Sequence, residues 1–262
     1  MNKSAVIFCR DLSFAYTAQP WLFRALSFAL AQSDVLAVLG PNGCGKSTLL
    51  DILLKIRQPL TGEVVADKPC CFVPQFFTPP FAYSVLDIVL MGRSTHIGMF
   101  STPKAADREI ARDALNSLGL LAVADKDFRL LSGGQRQMVL IARALASEAP
   151  IMLLDEPASA LDLYNQNQLL SLLRRLAEQR KLTIIFTTHQ PNHAALLANK
   201  TLLLKKDGFL FGETSQILNS ENLSELFNIT MLQRRIDYRR SIFRHFVPLY
   251  DVALARHDDK RS

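Results

Sequence analysis

The chain has 262 residues, 49% of them apolar and 21% charged, with a formal net charge of +6. That length and balance support a full hydrophobic core and exclude a disordered or fibrous protein. No run of 18 apolar residues occurs, and even 196–204 is broken by Asn199, Lys200 and Thr201, so the sequence contains no membrane-spanning helix.

Met1-Asn2-Lys3-Ser4 leads into no long apolar run, which argues against a signal peptide. Cys9, Cys44, Cys70 and Cys71 have neither metal-ligand spacing nor the look of a disulfide framework, which points to a reducing compartment. Leu12, Phe14 and Tyr16 alternate as one face of a strand would. The apolar run Val35–Leu39 then reads as a strand and feeds Gly40-Pro41-Asn42-Gly43-Cys44-Gly45-Lys46-Ser47-Thr48, with a helical pattern over Thr48–Ile56. The motif G-x-x-x-x-G-K-[ST] needs that strand-loop-helix context. Its glycines let backbone N–H groups converge on phosphate oxygens, and the positive helix end adds to the attraction. Lys46 suits the β- and γ-phosphates, and the Ser47 hydroxyl suits Mg²⁺. Cys44, at a helix N-terminus, is expected to carry a more acidic thiol than a free cysteine.

Next come a strand at Cys71–Val73, Pro74 and Gln75. The stretch 81–149 reads as a helical subdomain inserted into an α/β core. Thr102 and Pro103 suit a helix N-cap and first turn, Gly119 a terminator, and Ile110, Ala114, Leu115 and Leu118 one helical face. A second helix spans 133–147, with Met138, Ile141, Ala142 and Leu145 inward. It is opened by Leu131-Ser132-Gly133-Gly134-Gln135, where Ser132 is a good N-cap and the two glycines expose amides, making a second anion site.

The strand Ile151–Leu154 closes on Asp155-Glu156. Beside a phosphate loop, Asp155 is the expected Mg²⁺ carboxylate, and Glu156 can act as general base toward an attacking water. A helix with Leu169, Leu172, Leu173 and Leu176 inward follows, then strands at Thr183–Phe186 and 202–204, and a hairpin through Lys205-Lys206-Asp207-Gly208 to Phe209–Phe211. Strands this apolar on both faces predict a parallel sheet covered by helices. His189 and His193 have i, i+4 spacing, but no third ligand supports a zinc site. Residues 234–262, with Arg234, Arg235, Arg239, Arg240, Arg244, Arg256, Lys260 and Arg261, read as a solvated surface tail; a patch facing a membrane or partner is the alternative.

In order and spacing, 40–48, 131–135 and 151–156 resemble the ATPase subunit of an ABC transporter. The resemblance covers roughly residues 5–230 and implies a P-loop NTPase (RecA-like) α/β core with an N-terminal antiparallel β region: 1–80 and 150–213 as the nucleotide-binding core, 81–149 as the helical subdomain and 214–262 as a C-terminal extension. It implies that Gln75 senses Mg²⁺ and γ-phosphate, that Ser159-Ala160-Leu161-Asp162 crosses to a partner cassette through Asp162, that His189 contacts the γ-phosphate, and that Tyr16 stacks on adenine. ATP would lie between the phosphate loop of one chain and Ser132–Gln135 of the other, in a homodimer. Ser33, Ala158 and Cys44 depart from the usual residues.

Pro74-Gln75-Phe76-Phe77, the run 84–96 and Phe246–Tyr250 are similar to importers of metal chelates: iron-siderophore, haem, vitamin B12 and, nearest in appearance, molybdate/tungstate. Such a chain is held at the cytoplasmic face of the inner membrane by two permease copies, with a substrate-binding protein acting indirectly. Phe76, Phe77, Phe81, Tyr83 and Met91 would either pack the subdomain or grip a permease helix. An ABC-type ATPase acting on DNA or ribosomes is the competing class. Between Lys46 and Leu131 there are no sustained heptads, and only one cassette is present, so no nucleic-acid partner is expected. Another P-loop enzyme, such as a kinase, would not need the pentapeptide.

Overall fold

The computed structural model describes residues 5–17, 20–98, 101–206, 208–239 and 241–250; Asp207, Arg240, Arg256, Lys260 and Arg261 lie outside them. Three strands, β1 (Ala5–Phe14), β2 (Phe23–Ala31) and β4 (Thr61–Ala66), form an antiparallel sheet in the order β2-β1-β4. A six-stranded sheet combines β3 (Val35–Leu39), β5 (Cys70–Val73), β6 (Ile151–Leu154), β7 (Thr183–Thr188), β8 (Lys200–Lys205) and β9 (Gly208–Glu213) in the order β5-β6-β7-β3-β8-β9. All its pairings are parallel except β8–β9, a hairpin whose register closes at Lys205 opposite Gly208.

Alternation along the central strands explains their continuous apolar sequence. Val35, Ala37 and Leu39 of β3, with Met152 and Leu154 of β6, enter one core beneath the helices. Leu36 and Val38, with Ile151 and Leu153, enter a second core closed by Ile7, Leu12, Leu26 and Leu30 of the antiparallel sheet. A sheet buried on both faces has no polar face to show in its sequence.

Helix α1 (Lys46–Leu53) starts two residues earlier than its apolar pattern and stops three earlier. Gly45, at φ 102°, sets the start, and the left-handed Lys55, at φ 60°, follows the end. Helices α2 (Val85–Leu90), α3 (Ala105–Ser117) and α4 (Gly133–Ala146) pack together around Ile88, Val89, Leu115, Phe128 and Ile141. Ser84 caps α2, its hydroxyl accepting the Asp87 amide at 3.1 Å. The expected Thr102-Pro103 start of α3 is not used. The Asp107 carboxylate accepts the Lys104 amide at 3.0 Å and a 3.2 Å bond from buried Arg93, and this pair fixes the first turn at 104–107. Gly119, at φ 71°, lies just past the end of α3, where a terminator belongs.

After α5 (Leu163–Gln179), α6 (Pro191–Leu197), α7 (Thr214–Ile217) and α8 (Ser220–Phe227), the chain forms β10 (Met231–Tyr238) and β11 (Ser241–Pro248), an antiparallel hairpin. The sequence reads 234–262 as a solvated surface tail; its described part, up to residue 250, belongs mostly to this hairpin, which is anchored at its base. Met231 and Phe246 are buried, and Asn192 of α6 both accepts the Phe246 amide (2.8 Å) and donates to its carbonyl (3.1 Å). Arg234, Arg235 and Arg239 are exposed. Among the described residues, no helix is long and apolar enough to cross a membrane.

Candidate functional site

Strand β3 delivers Gly40 to the edge of the sheet where the parallel strands end, the usual place for ligands in α/β folds. Pro41, Asn42 and Gly43 form an exposed crest, and Gly45 turns left-handed into α1. A side chain at Gly45 would be strained by that φ and would press on Leu22 at 3.3 Å. Beneath the crest the Lys46 ammonium is buried, donating to the carbonyls of Gly40 (3.0 Å) and Pro41 (3.2 Å) and pairing with Glu156 at 3.2 Å. Ser47 is exposed, and the Thr48 hydroxyl lies 2.9 Å from the Tyr16 hydroxyl. Tyr16 stands beyond the end of β1, so it is not part of a strand face. Tyr16 is 62% exposed, its ring centroid 5.2 Å from that of Phe14 in an edge-to-face contact and 5.0 Å from the Arg57 guanidinium. A cavity of about 490 Å³ opens over this loop, lined by Tyr16, Leu22, Asn42, Gly43, Gly45, Lys46, Ser47, Thr48, Gln75 and Glu156.

Cys44 corrects the expectation of an acidic thiol. It is half-buried against the core under the antiparallel sheet, and burial pushes the thiol up, outweighing the Lys46 charge and the backbone hydrogen bonds at the helix start that pull it down.

At the end of β6, Asp155 donates its amide to the Val73 carbonyl (3.0 Å), and its carboxylate accepts the Thr187 hydroxyl at 2.6 Å. Glu156 adopts φ 42°, rare for a residue with a side chain. One of its oxygens meets Lys46, and the other lies 3.1 Å from Nδ1 of His189. The Ser159 hydroxyl donates to the Glu156 carbonyl (2.9 Å) and accepts a 3.2 Å bond from the Gln75 amide. The residues from 40–48, Gln75, Asp155, Glu156 and His189 therefore meet in one place.

Ser132–Gln135 do not line that cavity. Ser132 caps α4 as its residue type predicts: its oxygen accepts the Gln135 amide (3.3 Å), while the Gln135 side chain accepts the Ser132 amide (3.1 Å). Gly133 has open space around its Cα, whereas a Cβ on Gly134 would meet the Asn165 side chain at 2.7 Å. Asn165 is tied to Asp162, the N-cap of α5, by a 2.8 Å bond from its amide. The glycine helix start and Asp162 thus form a second cluster. His193 lines a small cavity together with His189 and contacts Gln166 (3.3 Å), which donates to the Leu161 carbonyl (2.9 Å). Phe77 packs on Phe128 (5.8 Å) and under Arg143, while Phe76 and Phe81 are exposed. Tyr83 and Met91, with Asp87, Leu90 and Arg108, line a cavity of about 710 Å³. Neither Thr187 nor Arg57 stands out in the sequence, because a lone threonine or arginine carries no motif.

The ABC transporter family model matches residues 23–159, more than half of the chain. The chain belongs to the ABC transporter ATPase family. Members hydrolyse ATP to power transport, and this cassette does the same. It is 56% identical, over 97% of its length and 100% of the relative's, to the molybdate import ATP-binding protein MolC of Haemophilus influenzae. It is 37% identical, over 85% of the chain and 93% of the relative, to an iron chelatin transport ATP-binding protein of Helicobacter pylori. Among solved structures, an inward-facing conformation of an ABC transporter assigned to the metal-chelate type matches at TM-score 0.92 and 55% identity, covering 95% of this chain and 99% of that one. A dimeric cassette in a post-hydrolysis state with ADP and phosphate matches at TM-score 0.69 and 25% identity, covering 79% of this chain and 98% of that one. The mixed α/β architecture is that of the P-loop ATPase cassettes.

Proposed function

We propose that this cassette is the ATP-hydrolysing subunit of a molybdate or tungstate importer and works as a homodimer on two copies of a separate permease. The observation that carries the two-chain reading is the composition of the cavity over the phosphate loop. It holds Lys46, Ser47, Gln75 and Glu156, yet nothing from Ser132–Gln135, whose amides sit at the start of another helix. A second copy in head-to-tail arrangement supplies that helix start to the γ-phosphate, as the dimeric form of a related cassette supports. Asp162, beside the same helix start, faces the partner in that arrangement.

The triphosphate lies on the amides of 40–48 with its base toward Tyr16. Lys46 leaves Glu156 for the γ-phosphate, because a buried ammonium gains more from the more highly charged partner. The freed Glu156 carboxylate takes the proton of the attacking water, and His189, already at its other oxygen, holds the γ-phosphate side. The donors present fit a hard divalent cation: the exposed Ser47 hydroxyl, the Asp155 oxygen that Thr187 leaves open, and the Gln75 amide oxygen. Mg²⁺ bound there supplies charge neutralisation at the β- and γ-phosphates. Gln75 joins Ser159 and the Glu156 carbonyl to the loop that carries exposed Phe76 and Phe81, so closure of the dimer passes to the surface beside the helices. That surface, with Tyr83 and Met91, grips a permease helix at the cytoplasmic face of the inner membrane. The oxyanion is delivered by a substrate-binding protein and never touches this chain.

The identity to a molybdate import cassette over the whole relative supports the cargo. In a strain lacking this chain, radiolabelled molybdate uptake is lost, and wild-type protein restores it while Glu156→Gln does not. Restored uptake of a ferric chelate with molybdate uptake untouched would contradict the assignment.

A further inference from the structure

Thr187 is fully buried near the end of β7, one strand over from the acid pair. Its hydroxyl sits between the two acids, 2.6 Å from Asp155 Oδ1 and 2.8 Å from the Glu156 amide nitrogen. The direction of both bonds is fixed by chemistry. An amide N–H only donates, so the threonine oxygen accepts from Glu156. Its single proton is then directed to Asp155 Oδ1, 2.6 Å away.

We propose that Thr187 is a positioning residue for ATP hydrolysis: one hydroxyl aims the Asp155 carboxylate and fixes the backbone of Glu156. This rests on the acid-pair reading above. On Asp155, the bond occupies Oδ1 and so sets which oxygen faces the phosphate loop. On Glu156, it holds the N–H of a residue whose carbonyl is held by Ser159 through both its amide (3.1 Å) and its hydroxyl (2.9 Å). Gripped on both sides, Glu156 is kept at φ 42° with its carboxylate between Lys46 and His189. A β-branched side chain on a buried strand has little rotamer freedom, so the hydroxyl is a rigid reference point. Valine at 187 keeps that shape and removes both bonds.

The test compares Thr187→Val and Thr187→Ser with wild type, each checked for folding by circular dichroism. Three quantities are read: binding of a fluorescent ATP analogue in EDTA, Mn²⁺ binding to the nucleotide complex by electron paramagnetic resonance, and turnover. For Thr187→Val, analogue binding in EDTA stays within about twofold, Mn²⁺ affinity falls roughly tenfold, and turnover falls about 10- to 100-fold, the scale of misplacing a catalytic group. Thr187→Ser restores both losses to within about threefold, because it keeps the donor and the acceptor. Unchanged Mn²⁺ affinity and turnover in Thr187→Val would overturn the proposal, as would Thr187→Ser failing as badly as Thr187→Val. A loss of folding in Thr187→Val also counts against it, since that makes the hydroxyl structural. Asp155→Asn separates the two levels. If it leaves Mn²⁺ binding intact, the acid-pair reading fails; if it abolishes Mn²⁺ binding while Thr187→Val does not weaken it, only the role of Thr187 fails.

Discussion

The phosphate-loop lysine is paired with Glu156, the acid proposed as general base. Lys46 and Glu156 are 6% and 12% exposed and 3.2 Å apart, and Lys46 also has the carbonyls of Gly40 and Pro41. Glu156→Gln removes the charge from this pair without orphaning the lysine, which keeps its two carbonyl acceptors. ATP binding to the wild type must break one hydrogen bond between charged groups, worth roughly 1.5–3 kcal/mol. Sparing that cost in Glu156→Gln tightens ATP binding by about 10- to 100-fold, since ~1.4 kcal/mol is a factor of ten. Loss of the general base lowers turnover by roughly 10²–10⁴. Both are measurable on the purified chain: ATP affinity by calorimetry, at concentrations where light scattering reports single chains, and turnover by phosphate release. Weaker or unchanged ATP affinity would refute the competition between Glu156 and nucleotide. Unchanged turnover would refute the base.

Gly134→Ala pushes a methyl group into the Asn165 amide; overpacking of this kind costs about 1–3 kcal/mol. Denaturant unfolding should show that loss, and Asn165→Ala should recover most of it, whereas Gly133→Ala, with open space around it, costs less than Gly134→Ala. Cys44, with its thiol pushed up by burial, should react with iodoacetamide more slowly than a free cysteine, at a rate still climbing with pH where ordinary thiols level off. ATP should protect it, and full ATP binding after stoichiometric Cys44 modification would contradict its place in the loop. Burial, then His189, lower the pKa of His193. Below the ordinary histidine value of 6.5, the unfolded chain takes up this proton before the folded one, so stability is full above that pH and falls as pH drops through it. His193→Gln should flatten that part of the stability profile, measured by urea unfolding across pH.

The phosphate loop and the central strands were legible because each is written in contiguous residues. Gly40–Thr48 is one loop, and the two-faced burial of β3 and β6 leaves uninterrupted apolar runs. The start of α3 was not legible, because Arg93 and Asp107 set it from 14 residues apart while Thr102-Pro103 offered a plausible local cap. Cys44 misled for a related reason: a helix N-terminus is visible in sequence, but the burial that outweighs it is tertiary. The arginines of β10 and β11 suggested a tail, since the residues that anchor the hairpin, Met231 and Phe246, are far apart and its partner Asn192 lies in another element. Thr187 left no trace because its two bonds reach across to a neighbouring strand.

In the head-to-tail dimer proposed above, one chain holds only half of the site that closes on ATP. Light scattering on Glu156→Gln, with and without ATP and Mg²⁺, tests it most directly. A mass of twice 29.3 kDa is expected with nucleotide, reverting to one chain when Ser132→Arg is added. A single-chain mass at saturating ATP, or a dimer indifferent to Ser132→Arg, would contradict it.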